Sequence, residues 1–137
     1  MEWKNNSYTI TTELSKVDIN FLHQILSNSY WASTRTKDQI ITSIGNSICF
    51  SVFTEGKQIG FARVVTDKAV FGYIADVIIE PEYRGKGVGT WLLSCLLQYP
   101  DLVGTKLLLE TQDAHDFYER FGFERKECMK RVLSKDG

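Results

Sequence analysis

The glycine-rich segment at residues 84–89 has residue types and spacing that suit the binding of a phosphate group. Its three glycines allow backbone N–H groups to approach an anion closely, and Arg84 and Lys86 add two positive charges. A strand-like run precedes it at residues 73–79, and apolar residues at helical spacing follow it. A strand, a glycine turn and a helix together present free N–H groups and the positive end of the helix dipole to a ligand. We therefore expect a phosphate-binding loop at this place.

The spacing within this loop excludes two common nucleotide-binding motifs. A P-loop needs a Lys-Ser or Lys-Thr pair at its last glycine, whereas Lys86 precedes Gly87 and Gly89. A dinucleotide-binding turn needs G-x-G-x-x-G, and no glycine occupies the sixth place counted from Gly85 or from Gly87. A glycine turn that only caps a helix is the structural alternative for this segment.

A second patterned segment lies at residues 114–123 and follows an apolar strand-like run at residues 106–110. Its apolar side chains fall on one helical face, which predicts that this face is buried. Asp113 is the predicted N-cap of the helix, and Gly122 is its predicted stop, after which the chain becomes extended. The segment has the form A-x-x-x-Y-x-x-x-G-F, with Tyr118 at the central place. The pattern therefore presents one tyrosine from a helix that packs on the sheet.

Together the two segments resemble the GNAT superfamily, the acyl-CoA-dependent N-acyltransferases. The loop matches the pyrophosphate-binding signature Q/R-x-x-G-x-G/A, and the second segment matches the family's closing segment, in the expected order and at the usual distance. The resemblance covers roughly residues 48–133. It implies that an amine acceptor attacks acetyl-CoA directly in a ternary complex, without a covalent enzyme intermediate. A non-catalytic acyl-CoA-binding sensor or interaction domain of the same fold is the alternative, and the presence of Tyr118 favours the enzyme.

The resemblance also implies where the acyl donor binds. In this family the strand before the glycine loop separates from its parallel neighbour, and the pantetheine arm lies in the gap. The implied partners of that arm are backbone groups of Val77, Ile78 and Ile79. Thr111 stands where the family often has an asparagine that meets the same arm, so its hydroxyl could make a shorter contact. The implied pyrophosphate site comprises Arg84, Gly85, Lys86, Gly87, Val88, Gly89 and Thr90.

Three catalytic roles have to be filled in such a transfer. Tyr118 matches the family tyrosine that protonates the departing thiolate or stabilises its charge, although a core aromatic has the same pattern. A strand N–H near Val77 or Ile78 would suit the developing oxyanion. Asp76 and Glu110 are the candidate bases for the ammonium proton, because each carboxylate lies at or near a strand that flanks the gap. Both carboxylates could instead form structural ion pairs, and water could relay the proton.

The acceptor site is expected at residues 29–35, because the family builds one wall of its acceptor pocket from the segment between the first two helices. Tyr30 and Trp31 could pack against an apolar or cationic acceptor, and Arg35 could bind a carboxylate. Alternatively, the two aromatic side chains only attach the loop to the core. The sequence leaves small amines, amino acids, polyamines, antibiotics and peptide N-termini open as acceptors.

The elements that must position these residues are predicted from periodicity and turn signals. A capping box of Ser15 and Asp18 predicts a first helix through Leu26, and Thr36 with Gln39 predicts a second, short helix. Hairpin-linked strands predict an antiparallel meander, and a later order of helix, strand, helix and strand predicts a parallel crossover. The expected fold is α/β (α+β), a mixed sheet with helices on both faces. The predicted strands are residues 8–12, 48–54, 58–66, a run that ends at 79, and 106–110.

The length of 137 residues predicts one domain, residues 1–137. The composition, with 43% hydrophobic and 24% charged residues, is typical of an ordinary soluble globular protein. A formal charge of −1 argues against a nucleic-acid binder, and no apolar run approaches the roughly 20 residues that span a bilayer. Three cysteines without a C-x-x-C pair suit a reducing cytoplasm. Two histidines without ligand spacing predict no metal site. Both a monomer and a homodimer remain open.

Overall fold

The computed structural model describes residues 1–135, and these residues contain a six-stranded sheet whose strands lie side by side in chain order. Strands β1 to β5 pair antiparallel, and β5 pairs with β6 in parallel. The predicted meander and parallel crossover are therefore confirmed. The strands are β1 Glu2–Asn5, β2 Tyr8–Thr11, β3 Ile48–Thr54, β4 Lys57–Thr66, β5 Phe71–Ile79 and β6 Lys106–Leu108.

Four α-helices accompany this sheet in the part of the chain that the structure describes. They are α1 Ile19–Ser27, α2 Lys37–Gly45, α3 Val88–Leu97 and α4 His115–Glu119. Short 3₁₀ turns occupy Leu14–Lys16 and Pro81–Tyr83. None of the helices in residues 1–135 is both long enough and apolar enough to cross a membrane.

The start of the first helix differs from the sequence prediction. The expected capping box of Ser15 and Asp18 is wrong, because Ser15 lies in the preceding 3₁₀ turn. Asp18 is itself the N-cap, and its carboxylate accepts a hydrogen bond from the Phe21 N–H at 3.0 Å. By contrast, the capping box of α2 is confirmed: Thr36 Oγ1 accepts from the Gln39 N–H, and Gln39 Oε1 accepts from the Thr36 N–H.

The predicted placement of helices on both faces is confirmed by two separate clusters of buried apolar side chains. In β3, Phe50 belongs to the cluster that contains α3, whereas Cys49 belongs to the cluster that contains α1 and α2. Because neighbouring strand residues point to opposite faces, these clusters lie on opposite sides of the sheet. Strand β5 contributes to both clusters, since Ile74 packs in the cluster that contains α3 and Ile78 in the cluster that contains α1 and α2.

An irregularity in β5 allows Ile74 and Ile78 to face opposite sides. Residues four apart in a regular strand would share a face. Here the register with β4 shifts between the pair Arg63–Ala75 and the pair Phe61–Ile78, so that one residue of β4 faces two of β5. Asp76 occupies this bulge with φ of +56°, which is uncommon for a residue other than glycine. The alternation of side chains therefore reverses at Asp76.

The segment around α4 corrects two further expectations. The N-cap is Ala114, not Asp113, and Thr111 Oγ1 accepts a hydrogen bond from the Ala114 N–H at 3.0 Å. Gly122 has φ of +88° and confirms the predicted helix stop. The expected last strand is wrong for the described residues, since 120–135 contain no strand. Six of the eight residues 124–131 are charged, which leaves this segment little apolar surface to bury on a sheet.

Candidate active site

A cleft opens where β5 and β6 separate. Pairing between these strands ends at Tyr73 and Leu108, but β5 continues to Ile79. The cleft has a volume of about 840 Å³, and its two walls are formed by β5 and by the segment from Leu109 to Ala114 with α4 behind it. The edge of β5 along residues 74–79 therefore faces the cleft without a partner strand.

The glycine loop lies at one end of this cleft and is open to a ligand. Gly85 and Gly87 have φ of +77° and +82°, and a Cβ atom added at either position would meet no other atom within 4 Å. Gly87 is the N-cap of α3, and no side chain caps this helix. The first N–H groups of α3 consequently have no partner inside the helix and point toward the loop. The loop thus combines free donors with the positive end of a helix dipole.

Two contacts fix this loop relative to the walls of the cleft. Arg84 Nε donates a hydrogen bond to the carbonyl oxygen of Ile79 at 2.9 Å, which attaches the loop to the end of β5. A Cβ atom at Gly89 would lie 3.9 Å from side-chain atoms of both Ile79 and Phe117. Gly89 is therefore the place where α3, β5 and α4 converge.

Tyr118 projects into the cleft from α4 and is 9% exposed. Burial, together with the smaller effects of the nearby Tyr30 and Asp113, raises the pKa of its phenol to about 12. Edge-on contacts with the rings of Phe117 and Phe123 hold the side chain in place, at centroid distances of 5.1 and 5.8 Å. Tyr118 therefore presents a protonated phenol to the cleft at neutral pH.

Asp76 forms the centre of a charged cluster on the opposite wall. Its Oδ2 accepts hydrogen bonds from Arg35 Nη1 at 2.6 Å and Arg63 Nε at 2.9 Å, and its Oδ1 accepts from Trp31 Nε1 at 2.9 Å. The carboxylate is 2% exposed. Burial alone would raise its pKa, but Arg63 and Arg35 outweigh that effect and hold the pKa of Asp76 below its ordinary value. Asp76 is thus an ionised carboxylate with both oxygens engaged.

Glu110, the other candidate base, is exposed on the β6 side of the cleft. Its Oε1 accepts a hydrogen bond from the Tyr73 hydroxyl at 3.1 Å. Burial and Glu110 together raise the pKa of Tyr73 to about 12. The second carboxylate oxygen of Glu110 accepts no hydrogen bond from the residues described.

The α1–α2 loop contributes two exposed aromatic rings to the lining of the cleft. Tyr30 and Trp31 are 51% and 40% exposed, and their rings meet edge to face at 5.0 Å. The Tyr30 hydroxyl accepts a hydrogen bond from the Gln112 N–H at 3.0 Å, which joins this loop to the β6 wall. Arg35, from the same loop, lines the cleft beside them.

The structure brings most of the sequence-predicted site residues to this one cleft. The three residues predicted to bind the acceptor and the three catalytic candidates all line it, namely Tyr30, Trp31 and Arg35, and Asp76, Glu110 and Tyr118. So do seven of the predicted cofactor residues, namely Val77, Ile78, Ile79, Arg84, Gly89, Thr111 and Tyr118. The others lie next to the cleft: Gly85, Lys86 and Gly87 are exposed in the glycine loop, and Thr90 is exposed in the first turn of α3, where the Val88 side chain is buried.

Sequence reasoning missed Arg63, Tyr73, Gln112 and Lys130. Arg63 could have been found, because it is a charged residue inside the apolar run of β4 and a buried charge requires a partner. Tyr73, Gln112 and Lys130 carried no such signal. Among residues 1–135, no three His, Cys, Asp or Glu side chains form a group that could hold a metal ion.

Comparison with known proteins agrees with this geometry. The acetyltransferase (GNAT) domain family matches residues 45–125. An acetyltransferase-named protein of Gibberella zeae is 28% identical over 145 residues, which cover 89% of this chain and 82% of that protein. A crystal structure from Xanthomonas campestris pv. campestris, assigned to the GNAT acetyltransferases, has 36% identity and a TM-score of 0.88, and covers 92% of this chain and 93% of the other.

A more distant structure shares the fold alone. It is N-acetylglutamate synthase from Neisseria gonorrhoeae, solved with coenzyme A and L-arginine. Its TM-score is 0.72 at 18% identity, and the match covers 88% of this chain but only 28% of that one.

Proposed function

Because the chain belongs to the acetyltransferase (GNAT) domain family, we propose that it transfers an acetyl group from acetyl-CoA to a primary amine of a small molecule or peptide. The observation that carries this proposal is the cleft between β5 and β6, which has a protonated phenol in its wall and an uncapped helix start at its end. The proposed unit is one N-acetyltransferase domain of residues 1–137.

The residues of the cleft fit acetyl-CoA as the acyl donor. The unpaired edge of β5 at Val77, Ile78 and Ile79 offers backbone groups to an extended amide-containing arm, in the manner of an added strand. The open space above Gly85 and Gly87 leaves room for a pyrophosphate on the N–H groups of α3. The Thr111 hydroxyl accepts a hydrogen bond from the Ala114 N–H, and its O–H donor remains available for a contact with the same arm.

The proposed reaction uses the residues of the cleft in a single displacement. The neutral amine attacks the thioester carbonyl, so that a C–N bond forms as the C–S bond breaks. N–H groups of β5 near Val77 or Ile78 stabilise the negative charge on the carbonyl oxygen. Tyr118 gives its phenolic proton to the departing sulfur, which leaves as the thiol of CoA. The amine nitrogen loses a proton to solvent as the amide forms, and the Tyr118 phenolate takes up a proton from solvent. Positioning of the two substrates supplies much of the acceleration.

The two candidate bases differ in their suitability. Asp76 is a poor proton acceptor, because two arginines and Trp31 already satisfy its carboxylate and lower its pKa. We therefore assign Asp76 a positioning role, since it ties the α1–α2 loop to β5. Glu110 is exposed and keeps one oxygen for an incoming ammonium group, so it is the better candidate of the two.

The decisive experiment is a free-thiol assay for CoA release with acetyl-CoA and a panel of primary amines, in parallel with thermal unfolding. Acetyl-CoA should raise the melting temperature by mass action, whereas ATP and NAD should not. Stabilisation by acetyl-CoA with no amine-dependent thiol release would favour a non-catalytic acyl-CoA-binding domain. No stabilisation by millimolar acetyl-CoA and no thiol release would contradict the proposal.

A further inference from the structure

The cluster around Asp76 carries more positive than negative charge. Arg35 and Arg63 both bond to the Asp76 carboxylate, so that two guanidinium groups share one negative charge. The side chains of Asp76 and Arg63 are 2% and 11% exposed, whereas that of Arg35 is 27% exposed. Of the two arginines, Arg35 alone lines the cleft. The surplus charge of the cluster is therefore presented to the cleft through Arg35.

Arg35 also has hydrogen-bonding capacity that the described residues do not use. A guanidinium group carries five N–H donors in a planar fork that matches the oxygens of a carboxylate or phosphate. Within residues 1–135, the Arg35 side chain makes one hydrogen bond, from Nη1 to Asp76. That bond fixes the orientation of the guanidinium plane, so an incoming anion would meet an already positioned donor. Trp31, held by the same carboxylate, supplies a flat apolar wall beside it.

The opposite wall of the cleft has the complementary charge for an amine. Glu110 and Asp113 line the β6 side, and Glu110 keeps one oxygen without a hydrogen-bond partner among the described residues. An acceptor that spans the cleft would place a cationic amine near Glu110 and meet Arg35 on the other side. A partly buried surplus of positive charge is unfavourable unless a counter-charge is supplied, and here a ligand can supply it.

We propose that Arg35 is an anion-binding residue of the acceptor site, and that the acceptor is a small amine that also carries a carboxylate or another oxyanion. This inference rests on the proposed acetyltransferase function and specifies its substrate class. Tyr30 and Trp31 then enclose the carbon chain between the two charged ends. The cleft of about 840 Å³ must also admit the donor's arm, which leaves space for a small acceptor.

The test compares three probes of the same length, β-alanine, β-alaninamide and aminoethylphosphonate. Their binding to the CoA-saturated protein is measured by calorimetry, and thiol release from acetyl-CoA is measured separately. β-Alanine or the phosphonate should bind about 10- to 100-fold more tightly than the amide, which is the range of one or two charge-assisted hydrogen bonds. The relative affinity of the carboxylate and the phosphonate identifies the oxyanion. Equal affinity for all three probes, or no binding of any of them, overturns the inference.

Variants at two positions assign the effect to Arg35. Arg35→Gln should abolish the preference for the charged probes, and Arg35→Lys should retain part of it, because it keeps the charge but loses the planar fork. Lys130→Ala is the matched control, since Lys130 is an exposed cation that lines the same cleft. If Lys130→Ala abolishes the preference and Arg35→Gln does not, the inference is wrong.

Failure of the inference about Arg35 can be distinguished from failure of the proposed acetyltransferase function. A protein that acetylates charged and uncharged amines equally well remains an acetyltransferase, and only the inference about Arg35 falls. If acetyl-CoA does not stabilise the protein, donor binding and with it the proposed function are contradicted. Thermal stabilisation of each variant by acetyl-CoA shows that its fold and donor site are intact.

Discussion

The two halves of the cleft are built by different means. The half proposed to bind the acyl donor, called the donor half below, consists mainly of backbone: the unpaired edge of β5, two open glycines and the uncapped start of α3. The half proposed to bind the amine, called the acceptor half, consists of side chains from distant parts of the chain. Trp31 and Arg35 reach Asp76 across sequence separations of 45 and 41 residues, and Arg63 approaches it from the neighbouring strand.

This difference has a functional consequence. A site made from backbone groups depends on glycines and strand geometry, so most side chains around it can change without altering its shape. A site made from converging side chains can be altered by single substitutions. We therefore expect the donor half to tolerate most substitutions outside its glycines, and the acceptor half to determine which amine is used.

The largest expected effect concerns Tyr118, where the two halves meet. Tyr118→Phe removes only the phenol oxygen and should lower kcat by about 10²- to 10⁴-fold, the range for a positioned general acid. The KM for acetyl-CoA should change little, because the lost interaction belongs to the transition state. Steady-state kinetics with thiol detection measure both values.

A matched control for this variant is Tyr99→Phe. Tyr99 packs against Trp3 and Phe50 away from the cleft, and its hydroxyl makes no hydrogen bond with the described residues. Its kcat should equal that of the wild type. An unaltered kcat in a folded Tyr118→Phe protein would remove Tyr118 from the mechanism and leave water as the acid.

The next effect concerns Asp76 and is one of stability. Asp76→Ala leaves Arg35 and Arg63 without their shared carboxylate, and loss of one partner from a buried ion pair costs about 3–5 kcal/mol. Denaturant unfolding at neutral pH measures this change in the free energy of unfolding. A loss below about 1 kcal/mol, the value typical of exposed pairs, would mean that the cluster is solvated and does not organise the acceptor half.

The pH dependence of the free energy of unfolding is a second test of the stabilisation by ionised Asp76. The folded protein holds the pKa of this carboxyl below its unfolded value, which is about 3.8. The resulting stabilisation is fully present above the unfolded pKa and is lost as the pH falls through the folded one. The wild type should therefore lose stability below about pH 4 more steeply than Asp76→Ala. Parallel acid-unfolding curves for the two proteins would contradict this assignment.

The two halves of the cleft also differ in how well the sequence predicts them. The antiparallel meander with its parallel end, the α2 capping box and the order of strand, glycine turn and helix are predicted correctly, because periodicity, turn residues and caps involve residues close together in the chain. The helix starts expected at Ser15 and Asp113 show that such local signals can still miss by a residue or more. The bulge at Asp76 was not predicted, since a left-handed φ at an aspartate follows from its distant partners and not from local preference. Sequence reasoning names Arg35 and Asp76 as separate candidates, and only the structure shows that they are paired.

The donor half is tested by Gly87→Asp, with a smaller expected effect. The added carboxylate would stand in the open space above the loop and repel a phosphate, so acetyl-CoA should bind about 10- to 100-fold more weakly. Gly104→Asp is the control, because Gly104 has a similar φ of +90° and equally open surroundings but lies in the turn between α3 and β6. Both variants should lose about 1 kcal/mol of stability from the strained backbone. Calorimetric titration should show that only Gly87→Asp weakens binding, and equal affinities in the two variants would place the phosphate elsewhere.

The smallest effect is expected for Trp31→Phe, which isolates one hydrogen bond of the acceptor half. The variant removes the indole N–H that donates to Asp76 Oδ1, while both arginines remain bonded to Oδ2. Because Oδ1 then lacks a donor among the described residues, the free energy of unfolding should fall by about 1–2 kcal/mol, less than for Asp76→Ala. The loop should then hold the acceptor less firmly, which raises the acceptor KM and leaves the affinity for acetyl-CoA unchanged. Trp91→Phe in α3 is the control, since its indole N–H donates to none of the described residues and its side chain does not line the cleft. If Trp31→Phe weakens acetyl-CoA binding as much as acceptor binding, the two halves are coupled through β5, and the bulge at Asp76 would be the place where that coupling arises.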